Sequence, residues 1–220
     1  MKITTLEVIA QSIEDVIAIN KSKAHRIELC ANLEVGGYTP NLELIKEATS
    51  ISNIPVMVIV RNHSDTFEIT KEQLDLIIKQ VKEINKTKAH GIVFGATLNN
   101  EVNRQALELI KSALNDKEIT FHKAFDEINN KEQESRYLKE QGVSRILTSG
   151  REGNPEEFIE ELLQTQSSGI EVLIGGGVTL KNKDLLVKNG FTNIHIGRAA
   201  RQNNSWDHSI DINKINEFLK

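Results

Sequence analysis

The sequence lacks most of the features that mark secreted and membrane proteins. It has one cysteine, Cys30, so no intrachain disulfide can form, and a single thiol is typical of the reducing cytosol. No apolar run approaches the roughly 18 residues that are needed to cross a bilayer. Glu7 and Glu14 interrupt the N-terminal stretch before any long apolar core develops, which is unlike a signal peptide. These absences predict a cytoplasmic protein that does not enter a membrane.

The sequence also lacks an excess of positive charge. Lysine and arginine number 27 against 31 aspartates and glutamates, which gives a formal net charge of -4. Proteins that bind nucleic acids usually carry a basic field that attracts phosphates. We therefore predict no nucleic-acid partner, while a small local pocket of positive charge remains compatible with this composition.

Short apolar runs alternate along the whole chain with amphipathic helical patterns. The runs predict strands at 3–8, 26–30, 56–60, 91–95, 119–121, 143–147, 171–174 and 193–196. Helices are predicted from Ser12 onward and at 42–49, 70–86, 103–114, 131–141, 155–165, 181–188 and 211–219. Such alternation calls for parallel strands. Eight units within 1–220, with no linker, favour a single-domain (β/α)8 TIM-type barrel over an open doubly wound sheet of fewer units.

Polar residues stand at or near the predicted C-terminal ends of these strands, where barrels of this class carry their sites. Side chains alternate between the two faces of a strand. Alternation therefore predicts that Glu7, Glu28, Cys30, Arg61 and His122 point inward. In the first strand we expect Glu7 to be the terminal charge.

These inward residues form a set that is suited to acid–base chemistry. Two carboxylates in different environments, Glu7 and Glu28, can divide into a proton donor and a base. Arg61 can hold a carboxylate ionised or bind a substrate anion, and His122 titrates near neutral pH. Asp126, at the end of the same stretch as His122, completes the predicted catalytic set. Buried ion pairs that satisfy only one another are the structural alternative.

Glycine-rich turns follow the seventh and eighth strands and indicate anion binding. Barrels often bind phosphate with these two loops through backbone N–H groups. The predicted anion-binding set is Lys123, Ser149, Gly176, Gly177, Gly197 and Arg198. The alternative is that the glycines only permit tight turns.

A metal site has weaker support in the sequence. Copper(I) prefers sulfur and imidazole ligands, and the plausible pair is Cys30 with His122. No C-x-x-C or methionine-rich motif is present, and a lone cysteine on a strand is more often a small buried hydrophobe. His25, His90, His195 and His208 have no evident partner.

Six motifs resemble the CutC family, known as copper homeostasis proteins. They are R-I-E-L-C at 26–30, G-G-Y-T-P at 36–40, V-F-G at 93–95, T-F-H-K-A-F-D at 120–126, R-I-L-T-S-G at 145–150 and G-G-G-V at 175–178. The resemblance implies a (β/α)8 barrel, a cytoplasmic location, a homodimer or larger homo-oligomer, and copper handling. The chain departs from the family at 59–67, where Asn62 and His63 replace a proline and an arginine, and Lys123 also replaces an arginine.

Two functional hypotheses follow. The first is a copper homeostasis protein that binds copper(I) at the barrel mouth through Cys30 and His122. The second is an enzyme, a hydrolase or lyase acting on a sugar or a phosphorylated metabolite, with Glu7 and Glu28 as its acid–base pair. A non-catalytic barrel that binds a small anion is a third alternative.

Overall fold

The computed structural model describes residues 2–63 and 66–220. Within these residues, eight parallel strands close into one barrel, with the last strand paired to the first. The strands are β1 (Thr5–Ala10), β2 (Arg26–Leu29), β3 (Val56–Ile59), β4 (Gly91–Phe94), β5 (Glu118–Phe121), β6 (Arg145–Thr148), β7 (Glu171–Ile174) and β8 (Asn193–Ile196). The predicted (β/α)8 TIM-type barrel is therefore confirmed. Positions 64 and 65 belong to the divergent segment 59–67 and, like position 1, lie outside the described residues.

Helices surround this barrel. They are α1 (Ile13–Asn20), α2 (Leu42–Ile51), α3 (Lys71–Ile84), α4 (Arg104–Ala113), α5 (Lys131–Glu140), α6 (Ile159–Ser167), α7 (Lys183–Lys188) and α8 (Ile212–Phe218). Their starts follow from local capping. Ser12 accepts a bond from the Asp15 amide, and Thr70 forms a complete capping box with Gln73. None of the helices in the described ranges is both long and apolar enough to cross a membrane.

Two element predictions were wrong. Glu7 is not the terminal charge of β1, because the strand continues to Ala10 and leaves Glu7 in its middle. Pro155 does not open α6. It opens a separate 3-10 turn, Pro155–Glu157, and α6 begins only after Phe158 adopts a non-helical conformation.

One face of each barrel strand packs against the surrounding helices, and the other face points to the barrel interior. On β2, Ile27 packs in the large apolar core under the helices, whereas Glu28 points to the barrel axis and lines a cavity. The register aligns Glu7 with His195 of β8, and Ile9 with Glu28 of β2. Barrel closure thus brings the two ends of the chain to the same level of the interior.

Ion pairs fill the interior at the N-terminal ends of the strands. Arg26 pairs with Glu7 and lies 3.6 Å from Glu171, while Arg145 pairs with Glu118 and lies 3.2 Å from Glu171. We call these five residues the polar floor. Among the described residues it occupies the interior below Glu28, and the cavity lies on the side of the C-terminal ends of the strands.

Candidate functional site

A cavity of about 1150 Å³ occupies the barrel mouth. Predicted site residues that line it are Glu28, Cys30, Arg61, His122, Lys123, Asp126, Gly176, Gly177, Gly197 and Arg198. Among the candidates, all of which the structure describes, Glu7 and Ser149 are outside this lining. The fold therefore gathers side chains from most of the strands at one opening, as the C-terminal ends of parallel strands require.

Glu7 lies directly beneath the cavity and is fully buried. One of its oxygens accepts a bond from Arg26, and the other, Oε1, is 2.7 Å from Nδ1 of His195. Burial alone would raise the pKa of Glu7, but the charges and hydrogen bonds of Arg26 and His195 outweigh it and lower the pKa to about 2. Glu7 is therefore a permanent negative charge that supports His195 from below.

Glu28 and His195 line the cavity together at its base. Glu28 Oε2 lies 3.4 Å from His195 Nδ1 and, although buried, has no hydrogen-bond partner among the described residues. Burial raises the pKa of Glu28 because the charged form loses hydration. Burial alone would lower the pKa of His195, but Glu7 and Glu28 reverse the effect and raise it. A carboxyl and an imidazole with both pKa values shifted upward, facing one cavity, can exchange protons with a ligand.

Cys30 follows Glu28 on the same face of the chain. Its thiol donates a hydrogen bond to Glu28 Oε1 over 3.3 Å. Burial, and then the neighbouring charge of Glu28, raise the pKa of the Cys30 thiol well above its ordinary value. Cys30 is therefore a protonated donor that orients Glu28.

His122 stands at the end of β5, and Phe67 contacts it at 5.2 Å between ring centroids. Burial, followed by the charge of Arg61, lowers the pKa of His122 to about 3. The Ala124 amide donates to His122 Nδ1 over 3.1 Å, so the neutral ring carries its proton on Nε2. His122 is a hydrogen-bond donor at neutral pH, and Arg61, stacked 5.0 Å from the Phe67 centroid, lies beside it.

Asp126 ties the loops after β5 and β6 together. It accepts bonds from Thr148 Oγ1, from the Ser149 amide over 3.1 Å and from Ser149 Oγ over 2.8 Å. Lys123 Nζ lies 3.3 Å from the same carboxylate. The hydroxyl of Ser149 is thus engaged within the protein, and Asp126 holds Lys123 at the cavity edge.

The glycine loop after β7 lies against Lys123. Gly176 has a φ of +79°, a conformation that favours glycine, and Lys123 Nζ occupies the space that a side chain there would enter. Arg198 also lines the cavity, and no hydrogen bond or ion pair joins its guanidinium to a described residue. We call Lys123 and Arg198 the positive rim; Arg151 and the acids Asp126, Glu127 and Glu152 line the same cavity.

Glu7, Glu28 and His195 are also the one set of three His, Cys, Asp or Glu residues in the described ranges whose possible ligand atoms lie within 4.8 Å of one another. Two carboxylates and an imidazole suit borderline or hard divalent ions, and not copper(I). Cys30 is outside this set.

Sequence reasoning missed two residues of this site, His195 and Trp206, and both line the cavity. The alternation of Ile194, His195 and Ile196 on β8 was a usable signal, because it directs the imidazole inward. Trp206 had no such signal, since it lies on a loop where alternation does not apply.

The CutC family model matches residues 4–200. A CutC protein of Pasteurella multocida (strain Pm70) is 33% identical over 202 residues, which cover 89% of this chain and 83% of the relative. A CutC protein of Bacteroides thetaiotaomicron is 34% identical over 187 residues, which cover 83% of this chain and 75% of the relative.

Solved structures give the same result. The structure of CutC from Streptococcus agalactiae, described as a copper homeostasis protein, superposes with a TM-score of 0.80 at 29% identity, covering 90% of this chain and 98% of that one. KGPDC from Streptococcus mutans has a TM-score of 0.67 at 12% identity, covering 99% and 96% of the two chains. The latter likeness shows the barrel fold alone. The match over residues 4–200, together with these identities, establishes that this chain belongs to the CutC family.

Proposed function

We propose that this CutC-family barrel is an enzyme, a hydrolase or lyase that performs acid–base chemistry on a small polar metabolite. One observation carries the proposal: Glu28 Oε2 is buried on the cavity floor, 3.4 Å from His195 Nδ1, with no hydrogen-bond partner among the described residues. An unsatisfied buried carboxyl oxygen is costly, and a ligand hydroxyl would satisfy it. Such groups with perturbed pKa values in a cavity are typical of catalytic sites.

The roles within the site follow from protonation. Glu28, with its raised pKa, exchanges a proton with the substrate, and His195 is the second proton carrier. Glu7 orients His195 and stabilises its charged form. This differs from the predicted pairing of Glu7 with Glu28 as acid and base, because Glu7 does not line the cavity and is held ionised by Arg26. His122, neutral near pH 7, donates to developing negative charge.

The positive rim supports a substrate that carries an anionic group. Lys123 and Arg198 line the cavity together with Gly176 and Gly177, both of which have positive φ values. Oriented backbone amides and side-chain cations together favour phosphate or carboxylate.

Isotope incorporation tests the proposal on many candidate substrates at once. A defined panel of sugars, polyols and their phosphate esters is incubated with the protein in heavy water, and separately in oxygen-18 water, and analysed by mass spectrometry. Wild type should label at least one compound, and Glu28→Gln should slow labelling by about 100-fold or more. Glu140→Gln, on the exposed surface of α5, is the matched control and should label at the wild-type rate. Equal labelling by Glu28→Gln, or none by wild type, would contradict the proposal.

Copper(I) binding through Cys30 and His122 is the competing hypothesis that the family name suggests. Copper(I) takes thiolate sulfur, whereas the Cys30 thiol is protonated and hydrogen-bonded to Glu28. The donor set therefore fits copper(I) poorly. An anaerobic copper(I) titration should show no stoichiometric uptake beyond that of Cys30→Ala. Saturable uptake that both Cys30→Ala and His122→Ala weaken would favour copper instead.

We also propose a cytoplasmic location and a homodimer or larger homo-oligomer. The single cysteine supports a cytoplasmic location, because proteins of the reducing cytosol rarely contain disulfides and this chain cannot form one within itself. The family resemblance supports the second, which analytical ultracentrifugation of the purified protein tests directly.

A further inference from the structure

The side wall of the cavity contains an indole that the acid–base chemistry does not use. Trp206 lies on the loop between β8 and α8 and lines the same cavity as Glu28 and His195. Trp206 packs against a cluster of buried apolar side chains, whose members are Cys30, Leu33, Met57, Ile59 and Val93. A half-buried tryptophan on a loop, dipping toward the barrel axis, is placed to contact whatever occupies the cavity.

Several contacts hold this indole in position. Gln11 Nε2 donates to the Trp206 carbonyl over 2.9 Å. Arg201, buried and paired with Asp15, lies 5.5 Å from the ring centroid. Gly197 leaves the space that the ring edge occupies, because a Cβ there would clash with the six-membered ring. The indole is therefore held by Gly197, which follows β8, and by Gln11 and Asp15 at the start of α1.

Some hydrogen-bonding groups that line the same cavity as the indole make no hydrogen bond to a described residue. Glu28 Oε2 has no partner among the described residues, and neither His195 Nε2 nor Trp206 Nε1 donates to any of them. An indole that lines one cavity with hydrogen-bond acceptors and donors matches a ligand that has a C–H face and hydroxyl groups around its edge.

We propose that Trp206 is a stacking platform for a sugar or cyclic polyol, whose hydroxyl groups reach Glu28 and His195. This inference rests on the proposed function and narrows its substrate class to a ring compound, with or without a phosphate ester. The ring stacks on the indole by dispersion and hydrophobic contact, and the hydroxyls provide orientation. A phosphate, where present, would reach the positive rim of Lys123 and Arg198.

The chain contains one tryptophan, so its intrinsic fluorescence reports on Trp206 alone. The probes are ribose, glucose, myo-inositol and their phosphate esters, with glycerol, glycerol phosphate and inorganic phosphate as matched compounds without a ring. At least one ring compound should change the emission saturably, while its acyclic counterpart should not. A response to inorganic phosphate equal to that of every ring ester would show that the anion alone binds, and would overturn the proposal.

Binding affinities of folded variants, measured by calorimetry, distinguish a loss of stacking on Trp206 from a loss of folding. Trp206→Ala should weaken binding of the responding compound by about tenfold or more, and Trp206→Tyr should recover most of it. Glu28→Gln, which keeps the indole, should retain the fluorescence response with weaker binding. Unchanged affinity in a folded Trp206→Ala variant, or no ring compound that binds wild type, would refute the platform. If a ring compound binds but is not labelled, the stacking role of Trp206 is supported and the proposed enzymatic activity is contradicted.

Discussion

Replacing Glu7 with glutamine should destabilise the barrel strongly at neutral pH. The carboxylate is fully buried between Arg26 and His195, and its pKa falls from 4.5 to about 2. That lowering corresponds to on the order of 3 kcal/mol in favour of the charged form. Glutamine resembles the protonated acid in shape and charge. The free energy of unfolding of Glu7→Gln at pH 7 should therefore lie below that of wild type by about 3 kcal/mol.

The pH dependence of this difference follows from the sign of the pKa change. A carboxyl whose pKa is lowered on folding contributes its full stability above its unfolded value, here 4.5. That contribution is lost as pH falls toward about 2, where Glu7 is protonated in wild type as well. The stabilities of wild type and Glu7→Gln should therefore converge as pH falls below 5, because the wild-type carboxylate is then progressively protonated and comes to resemble the glutamine.

Denaturant unfolding followed by circular dichroism at a series of pH values measures both quantities. Glu140→Gln, an exposed change on α5, controls for the loss of one surface charge and should differ from wild type by less than about 0.5 kcal/mol. A Glu7→Gln deficit below about 1 kcal/mol at pH 7, or a deficit that stays constant down to the acid limit, would refute the reasoning.

Three further predictions concern other parts of the site. The His122 ring should show no titration by NMR between about pH 5 and pH 8, because burial lowers its pKa to about 3; a midpoint near 6.5 would contradict this. Asp15→Ala should lower the free energy of unfolding by about 3–5 kcal/mol in denaturant titrations, since it leaves the buried Arg201 without its counter-charge. Gly197→Ala should displace the Trp206 ring and red-shift its emission, whereas unchanged emission would show that the ring does not rest there.

Periodicity was sufficient to predict the barrel and much of the candidate site. In a strand the two faces alternate strictly, so the inward positions of Glu28 and Cys30 could be read from R-I-E-L-C without any tertiary information. The same rule applied to β3 and β5 and correctly located Arg61 and His122 at the cavity.

Other features depend on distant contacts that no local pattern encodes. The ionisation of Glu7 follows from Arg26 and from His195, which is 188 positions away and becomes its neighbour only when β8 pairs with β1. Ser149 follows the end of β6, where alternation no longer predicts which way a side chain points; it does not line the cavity, and its hydroxyl donates to Asp126. Trp206 reaches the mouth through a loop whose path is set by the buried pair of Arg201 and Asp15.

The polar floor affects how a ligand can enter and leave the cavity. Among the described residues, Arg26, Arg145 and the acids between them form ion pairs in the barrel interior beneath Glu28, so we expect a ligand to enter and leave at the C-terminal ends of the strands. In the proposed enzyme, substrate and product would then use the same opening, and a product would have to leave before the next substrate could reach Glu28. An enzyme built in this way should be inhibited by its product in direct competition with its substrate.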